Sequence, residues 1–379
     1  MFKTESTKMY IFLMILTIAA FSGLQGWRTI FNNFAVETAH LNGFNIGVIQ
    51  SVREVPGFLA LLVIYILLFI SEHRLASLSI ILLGVGIGMT GYLPTFQGVI
   101  FTTILMSFGF HYYETLNQSL TLQYFTTSEA PVVFGKLRSL AAITSIGIGV
   151  VIFFVVNFLT YKTIFLFAGV FVASLGFITV FMDPTKKDMP AQHKKMVFRK
   201  KYWLFYVLTF FAGARRQIFV AFSVFLLVKR FDYSVTTVTA LFVFNNLINF
   251  FISPQIGKAV NRFGERKVLS LEYGSLIVIF LVYAFSDSKI LVGIMYILDH
   301  IFFNFALAIR TFFQKMAAPG DIAPSMAVGF TINHIAAVIL PVFGGILWIY
   351  NYKIPFIMGS ILSLMSFAFV QLIDREVAK

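Results

Sequence analysis

The chain has no cysteine in its 379 residues, which excludes disulfides, thiolate metal sites and cysteine nucleophiles and leaves its redox compartment unmarked. Charge is scarce too. Charged residues make up 12 %, with 16 acids against 29 Lys and Arg, whereas a soluble domain carries about one-quarter charged residues. No nucleophile–base pair or metal cluster stands at compatible depth, so an enzyme is not expected. The glycines Gly84, Gly86, Gly88, Gly147 and Gly149 have no basic residue or helix start behind them. They are read as points of close helix approach rather than phosphate loops.

What fills the chain is apolar: 59 % hydrophobic residues and 47 Phe, with a mean hydropathy of +0.87. This is the composition of an integral membrane protein. The formal charge is +13, but its basic blocks flank apolar runs and no aromatic-interleaved basic surface lies outside them. They report orientation against membrane potential and anionic lipid, not nucleic-acid binding. Lys3 and Lys8 before Tyr10 to Phe21 imitate a secretory signal. The apolar stretch continues to Val36 and further spans follow, so a first transmembrane helix is expected.

Windows of roughly 20 residues give twelve spans, near 9–36, 44–70, 76–93, 97–125, 134–159, 162–182, 202–229, 233–257, 267–286, 289–314, 324–350 and 354–373. The one long polar break carries Lys186, Lys187, Lys194, Lys195, Arg199, Lys200 and Lys201 against Asp183 and Asp188. It divides the chain into a six-helix group at 1–182, a basic linker at 183–201 and a second six-helix group at 202–379. Loops on the opposite side hold only Lys162, Lys229, Arg230, Lys289 and Lys353. The positive-inside rule therefore places both termini and the linker in the cytoplasm, with a bacterial inner (plasma) membrane as the expected site.

The halves look duplicated. Arg28-Thr-Ile-Phe-Asn-Asn-Phe34 and Arg216-Gln-Ile-Phe-Val-Ala-Phe222 share R-x-I-F-x-x-F at a separation of 188 residues. His111 and His300 lie 189 apart, and Arg74 and Arg262 lie 188 apart. Three anchors near one offset describe two parallel six-helix repeats.

The stretch Gly257-Lys-Ala-Val-Asn-Arg-Phe-Gly-Glu-Arg-Lys267 resembles the loop motif G-x-x-x-D-R-x-G-R-[RK] of the major facilitator superfamily, with Asn261 where that pattern has Asp. The counterpart Ser71-Glu-His-Arg-Leu-Ala-Ser77 keeps Arg74 without the glycines. With the six-plus-six layout the resemblance covers essentially the whole chain. It implies an all-α membrane fold of about 12 transmembrane helices in two pseudo-symmetric bundles around a central cavity. It also implies gating roles for Gly257, Asn261, Arg262, Gly264, Arg266 and Arg74.

Five basic residues fall inside spans: Arg28, Arg53, Arg215, Arg216 and Arg310. The embedded acids are Glu54, Glu114 and Asp299, with Glu272 nearer an end. Each unpaired charge costs at least ~2.5–3.5 kcal/mol on insertion scales, so these groups should face the bundle interior or water. The basic surplus lowers the energy of an anion. Gln25, Arg28 and Asn32 form one helical stripe, and Ser107, His111, Glu114 and Gln118 another.

Arg28 and Arg216, one per half, suit bidentate binding of a phosphate or carboxylate; structural ion pairing is the alternative. Their layout is similar to that of the superfamily's organophosphate antiporters, which use arginines of the first and seventh helices. Arg215 points ~100° away from Arg216 and is expected to pair with an acid or snorkel. Arg53, His111, His300, Asn333 and His334 complete the candidate substrate groups. Glu54, Glu114 and Asp299 are the candidate proton carriers, with Glu54 first because Arg53 and Glu54 have no counterpart in the other half. The histidines lack a close second ligand, so no metal and no cofactor are expected.

The function expected is secondary transport of a small phosphorylated or carboxylated organic anion by a monomer in the lipid bilayer, with protons as the candidate coupling ion. One alternative is a proton-coupled exporter of amphiphilic compounds, although the fifth span lacks the G-x-x-x-G-P-x-x-G-G pattern of the superfamily's drug antiporters. A non-transporting membrane receptor or assembly factor is the other.

Overall fold

Hydrocarbon offers no water to backbone N–H and C=O groups, so a chain this apolar must satisfy them within helices. The computed structural model describes residues 4–186 and 189–378, and among these there are helices and no strand. Lys3, Lys187 and Asp188 lie outside the described residues.

Twelve long helical segments follow in order. In the first half these are α1 (Thr4–Glu37), α2 (Gly43–Phe58, extended by Leu59–Leu62 and Val63–Ile66), α3 (Glu72–Thr90), α4 (Phe96–Tyr124), α5 (Ala130–Val155) and α6 (Tyr161–Val180). The second half has α7 (Trp203–Ile218, then Phe219–Ser223 and Val224–Phe231), α8 (Val235–Phe263), α9 (Glu265–Phe285), α10 (Lys289–Phe303, then Asn304–Ala306 and Leu307–Met316), α11 (Ile322–Tyr350) and α12 (Lys353–Val370). Ten of the described segments are long and apolar enough to cross a membrane. The other two, α4 and α11, have 29 residues each and span ~44 Å at ~1.5 Å per residue.

Contacts divide the chain into two units. One comprises Met1–Phe125, Leu140–Val197 and Pro319–Thr331; the other comprises Thr126–Ser139, Phe198–Ala318 and Ile332–Lys379. In the first, α3 crosses α6 at bare backbone: a Cβ on Gly84 would lie 2.6 Å from the Gly169 carbonyl oxygen. Gly147 and Gly149 behave differently from the expectation, because a Cβ at either would meet nothing within 4 Å. They permit no close approach, and α5 carries them on an open face.

The linker is tied to the first unit. Lys186 donates to Ser6 Oγ at 3.1 Å, and Gln192 donates to the Pro319 carbonyl at 2.8 Å. Gln192 Oε1 accepts the Ala323 N–H at 2.9 Å, capping the start of α11. The His193 ring lies 3.5 Å from buried Asp321. Asp183 accepts the Thr185 hydroxyl and N–H, and these bonds hold its carboxyl below the usual range.

Breaks in the helices are repaired by side chains. Pro254 inside α8 has no N–H for the Phe250 carbonyl, and Ser139 of α5 donates its hydroxyl to that oxygen at 2.6 Å. Here α5 and α8 are in backbone contact, since a Cβ on Gly135 would lie 2.4 Å from the Ser253 oxygen and one on Gly257 2.3 Å from the Pro131 oxygen. In the other unit, the Leu61 N–H, in the turn that interrupts α2, donates to Thr331 Oγ1 at 3.0 Å. Leu61 and Phe250 are 189 residues apart, the offset of the paired histidines.

Ser139→Ala should therefore cost about 1–3 kcal/mol, the cost of an unsatisfied buried carbonyl. Pro254→Ala restores an N–H and should recover much of that loss in the double variant. Thermal unfolding in detergent measures both; a double variant as unstable as Ser139→Ala alone would remove the explanation.

Candidate functional site

The R-x-I-F-x-x-F segments have the same local logic in both halves. In α1 the Ile30 and Phe34 directions lie about 120–160° around the helix from Arg28, and Ile30, Phe31 and Phe34 are buried while Arg28 is exposed. Phe31 stacks on Trp27 at 4.0 Å and Phe34 meets Phe165 at 5.2 Å. Arg28 shares its face with half-buried Gln25 and exposed Asn32. Gln25 donates to Thr29 Oγ1 at 3.1 Å. In α7 the corresponding Ile218, Phe219 and Phe222 are again buried and Arg216 is half-buried. The second copy departs in one respect, because Phe219–Ser223 forms a π-helical turn.

In the first unit Arg53 and Glu54 pair with each other at 3.1 Å on α2. Ser107 of α4 donates its hydroxyl to the Arg53 carbonyl and so fixes α4 against α2. With that hydrogen committed, His111 Nδ1–H donates to the Ser107 carbonyl at 2.9 Å, and the lone pair of the neutral ring lies on Nε2. A Glu54 carboxylate oxygen and a His111 ring nitrogen lie within 4.8 Å of each other. The predicted stripe on α4 is split by depth: Ser107 and His111 are buried, Glu114 and Gln118 half-buried.

The second unit holds the denser cluster. Arg215, Arg216, Glu272 and Asp299 line one small cavity, walled by Ala212, Phe219, Leu276, Phe280, Phe303 and Ala306. Arg215 pairs with Glu272 at 3.6 Å, both side chains being 3 % exposed. Its guanidinium lies 4.2 Å over the Tyr273 ring and donates to Ser366 Oγ of α12. Asp299 is 2 % exposed and within electrostatic reach of both Arg215 and Glu272. Two guanidinium groups and two carboxylates thus line one small space.

Arg215 pairs with an acid, one of the two outcomes expected for it, and its partner is Glu272. The α9 register of Glu272 is the available signal: Val268, Leu269, Glu272, Tyr273 and Leu276 are all buried on one helical face. For Ser366 the signal is the spacing of three it shares with Ser360 and Ser363, all buried on α12.

His300 repeats the His111 arrangement, donating Nδ1–H to the Tyr296 carbonyl four residues earlier at 3.1 Å. Its ring, however, packs 4.7 Å from both Phe219 and Tyr296. Asn333 donates to the Thr209 carbonyl at 3.2 Å, where Gly213 lets α7 and α11 touch backbone to backbone. His334 is 1 % exposed. Arg310 lies over Phe134 at 5.7 Å.

Around the loop motif, Asn261 donates its amide to the Ser128 carbonyl, a bond an aspartate carboxylate cannot make. Gly264 turns the chain from α8 to α9 at φ +81°, and Arg266 pairs with Asp374 at 2.9 Å. Lys315 holds Glu265 at 2.6 Å. Arg262 stands in the last turn of α8 and its ring neighbour is Phe263 at 5.2 Å. Arg74 stands in the first turn of α3, within reach of Asp183. The two arginines are thus matched in sequence offset but not in structural position.

Arg215→Met should destabilise the protein by about 3 kcal/mol, because it leaves Glu272 as an uncompensated buried charge. Adding Glu272→Gln removes that charge, so the double variant should unfold at a higher temperature than Arg215→Met. Thermal unfolding monitored by tryptophan fluorescence tests this; equal instability of single and double variants would show the pair to be energetically inert.

The fold has many relatives of known structure. Human organic anion transporter MFSD10 (TETRAN) superposes with a TM-score of 0.80 at 11 % identity, covering 97 % of this chain and 100 % of that one. A bacterial homologue of the iron transporter ferroportin, in an outward-facing state, gives 0.76 at 12 % identity, with 97 % and 99 % covered. The E. coli fucose:proton symporter FucP gives 0.73 at 12 % identity, with 96 % and 98 % covered. Comparison with curated protein sequences gives no match. The family model of the Major Facilitator Superfamily matches residues 11–322, and the chain belongs to that superfamily.

Proposed function

We propose that the protein is a secondary active transporter of a small organic anion, phosphorylated or carboxylated, working by alternating access. The observation that carries this reading is the pair of guanidinium groups set at equivalent points of a duplicated membrane framework: exposed Arg28 on the polar face of α1, and half-buried Arg216 lining the charged cavity. A guanidinium kept at membrane depth favours anions electrostatically and offers them a planar bidentate fork. The organic anion transporter among the structural relatives points the same way, as does its superfamily's habit of binding small molecules.

The basic linker and the lysine-poor opposite loops support an orientation with both termini in the cytoplasm. Gln25, Asn32, Arg53 and His111 on the first unit and His300 on the second are the polar groups assigned to help hold the substrate. Asn333 is assigned instead to helix packing, through its bond to Thr209.

Purified protein in proteoliposomes, offered glycerol 3-phosphate, lactate and a sulfonate, should move at least one of them. Arg28→Gln and Arg216→Gln should each lower kcat/KM about tenfold or more, equivalent to ~1.4 kcal/mol of lost transition-state binding. Arg→Lys at either position should restore little, because an ammonium lacks the fork. Unchanged transport of every anion by both Gln variants would remove the proposal, and binding without flux would identify a receptor instead.

A further inference from the structure

The cavity of the second unit contains more unsatisfied polarity than a structural ion pair explains. Arg215 Nε, Glu272 Oε2 and Asp299 Oδ2 are buried without a hydrogen-bond partner among the described residues. The Arg215–Glu272 separation of 3.6 Å is well beyond the ~2.7–2.9 Å of a charge-assisted bond. A pair kept for stability would close this gap and bond its remaining oxygens, since half-satisfied buried networks are costly. Two carboxylates instead share one fully buried guanidinium, next to an open space and a second guanidinium.

We propose that Glu272 and Asp299 together bind one exchangeable proton, with Arg215 as their shared counter-ion and Arg216 as the guanidinium that the transported anion engages. The proposal rests on the anion-transport reading and assigns its coupling site, moving that role from α2 to the cluster joining α7, α9 and α10. When an anion draws on the charge of Arg216, the two carboxylates are left with one positive partner. One of them then takes a proton from water on the side of entry, forming an O–H bond. Departure of the anion returns the positive charge, and that proton leaves to water on the other side. No other bond changes, and the net movement is one proton with the anion.

Around the two carboxylates, Arg215 and Arg216 of α7 line the same cavity, Tyr273 of α9 lies under the Arg215 guanidinium, and Tyr283 of α9 and Tyr296 of α10 lie within electrostatic reach of Asp299. The phenols supply neutral dipoles, so the arginines set the local charge balance. Ser366 is a positioning residue: its hydroxyl oxygen accepts from the Arg215 guanidinium.

The test compares two measurements on full-length protein in proteoliposomes, with glycerol 3-phosphate and lactate as probe anions. One is anion exchange at equal pH on both sides; the other is accumulation driven by an imposed pH gradient. In Glu272→Gln and in Asp299→Asn the ratio of gradient-driven accumulation to exchange should fall about tenfold or more. Glu272→Asp, which keeps a carboxylate, should retain much of it. A ratio unchanged in both neutral variants, with monodisperse protein, overturns the proposal.

If the parent moves neither anion, the transport reading fails separately. The proton site is then read by infrared difference spectroscopy between about pH 5 and about pH 9. A buried carboxyl C=O band that titrates in the parent and is missing from Glu272→Gln/Asp299→Asn supports the site. A parent without such a band overturns it.

Discussion

The exclusion of water from hydrocarbon governs this molecule, because a main-chain polar group carried into the membrane is costly unless it finds a partner in the protein. The consequence is clearest at the helix breaks. The carbonyl of Phe250, left without a donor by Pro254, takes the Ser139 hydroxyl; the Leu61 N–H takes Thr331 Oγ1. At the break in α10, Asn304 donates to the His300 carbonyl and to Asn249 Oδ1, both at 2.7 Å, and accepts from Arg138 at 3.0 Å. In each case a short polar side chain does two things at once. It satisfies the main chain and fixes which helix lies beside the break.

The same constraint explains what could be read from the sequence. Helix number and approximate limits follow from runs of apolar residues long enough to cross a bilayer. Arg216 and Asp299 stood out as charges inside such runs, and the structure places them in one cavity. The pairing of Arg215 with Glu272 was not legible, since it depends on where α7 crosses α9, and residue spacing within either helix does not record a crossing. Ser139 and Thr331 were invisible for the same reason, whereas Ser366 belongs to a run with Ser360 and Ser363 that recurs every three residues. Gly147 and Gly149 show the converse error, small residues that look like a packing groove yet face open space.

Duplication has preserved backbone chemistry better than surroundings. His111 and His300 each donate Nδ1–H to the carbonyl four residues earlier. The carbonyl of each is in turn capped four residues later, by Thr115 at 2.9 Å in one half and Asn304 at 2.7 Å in the other. Beyond that shared frame the environments part: His111 lies near the Glu54 carboxylate, whereas His300 is enclosed by two aromatic rings. Local hydrogen bonds within one helix survive sequence drift easily, because they need only the residue itself and its own main chain.

The π-helical turn at Phe219–Ser223 closes its hydrogen bonds over one residue more than an α turn does. The widened turn directly after Arg216 and Ile218 ends the interchangeability of the two copies. A perfectly repeated molecule would present a visiting anion with identical handholds and no preferred order of grasp. In the anion transport proposed above, the two arginines would be unequal handholds, one on a regular helix and one beside a widened turn, and inequality of that kind lets a sequence of events run in a definite order.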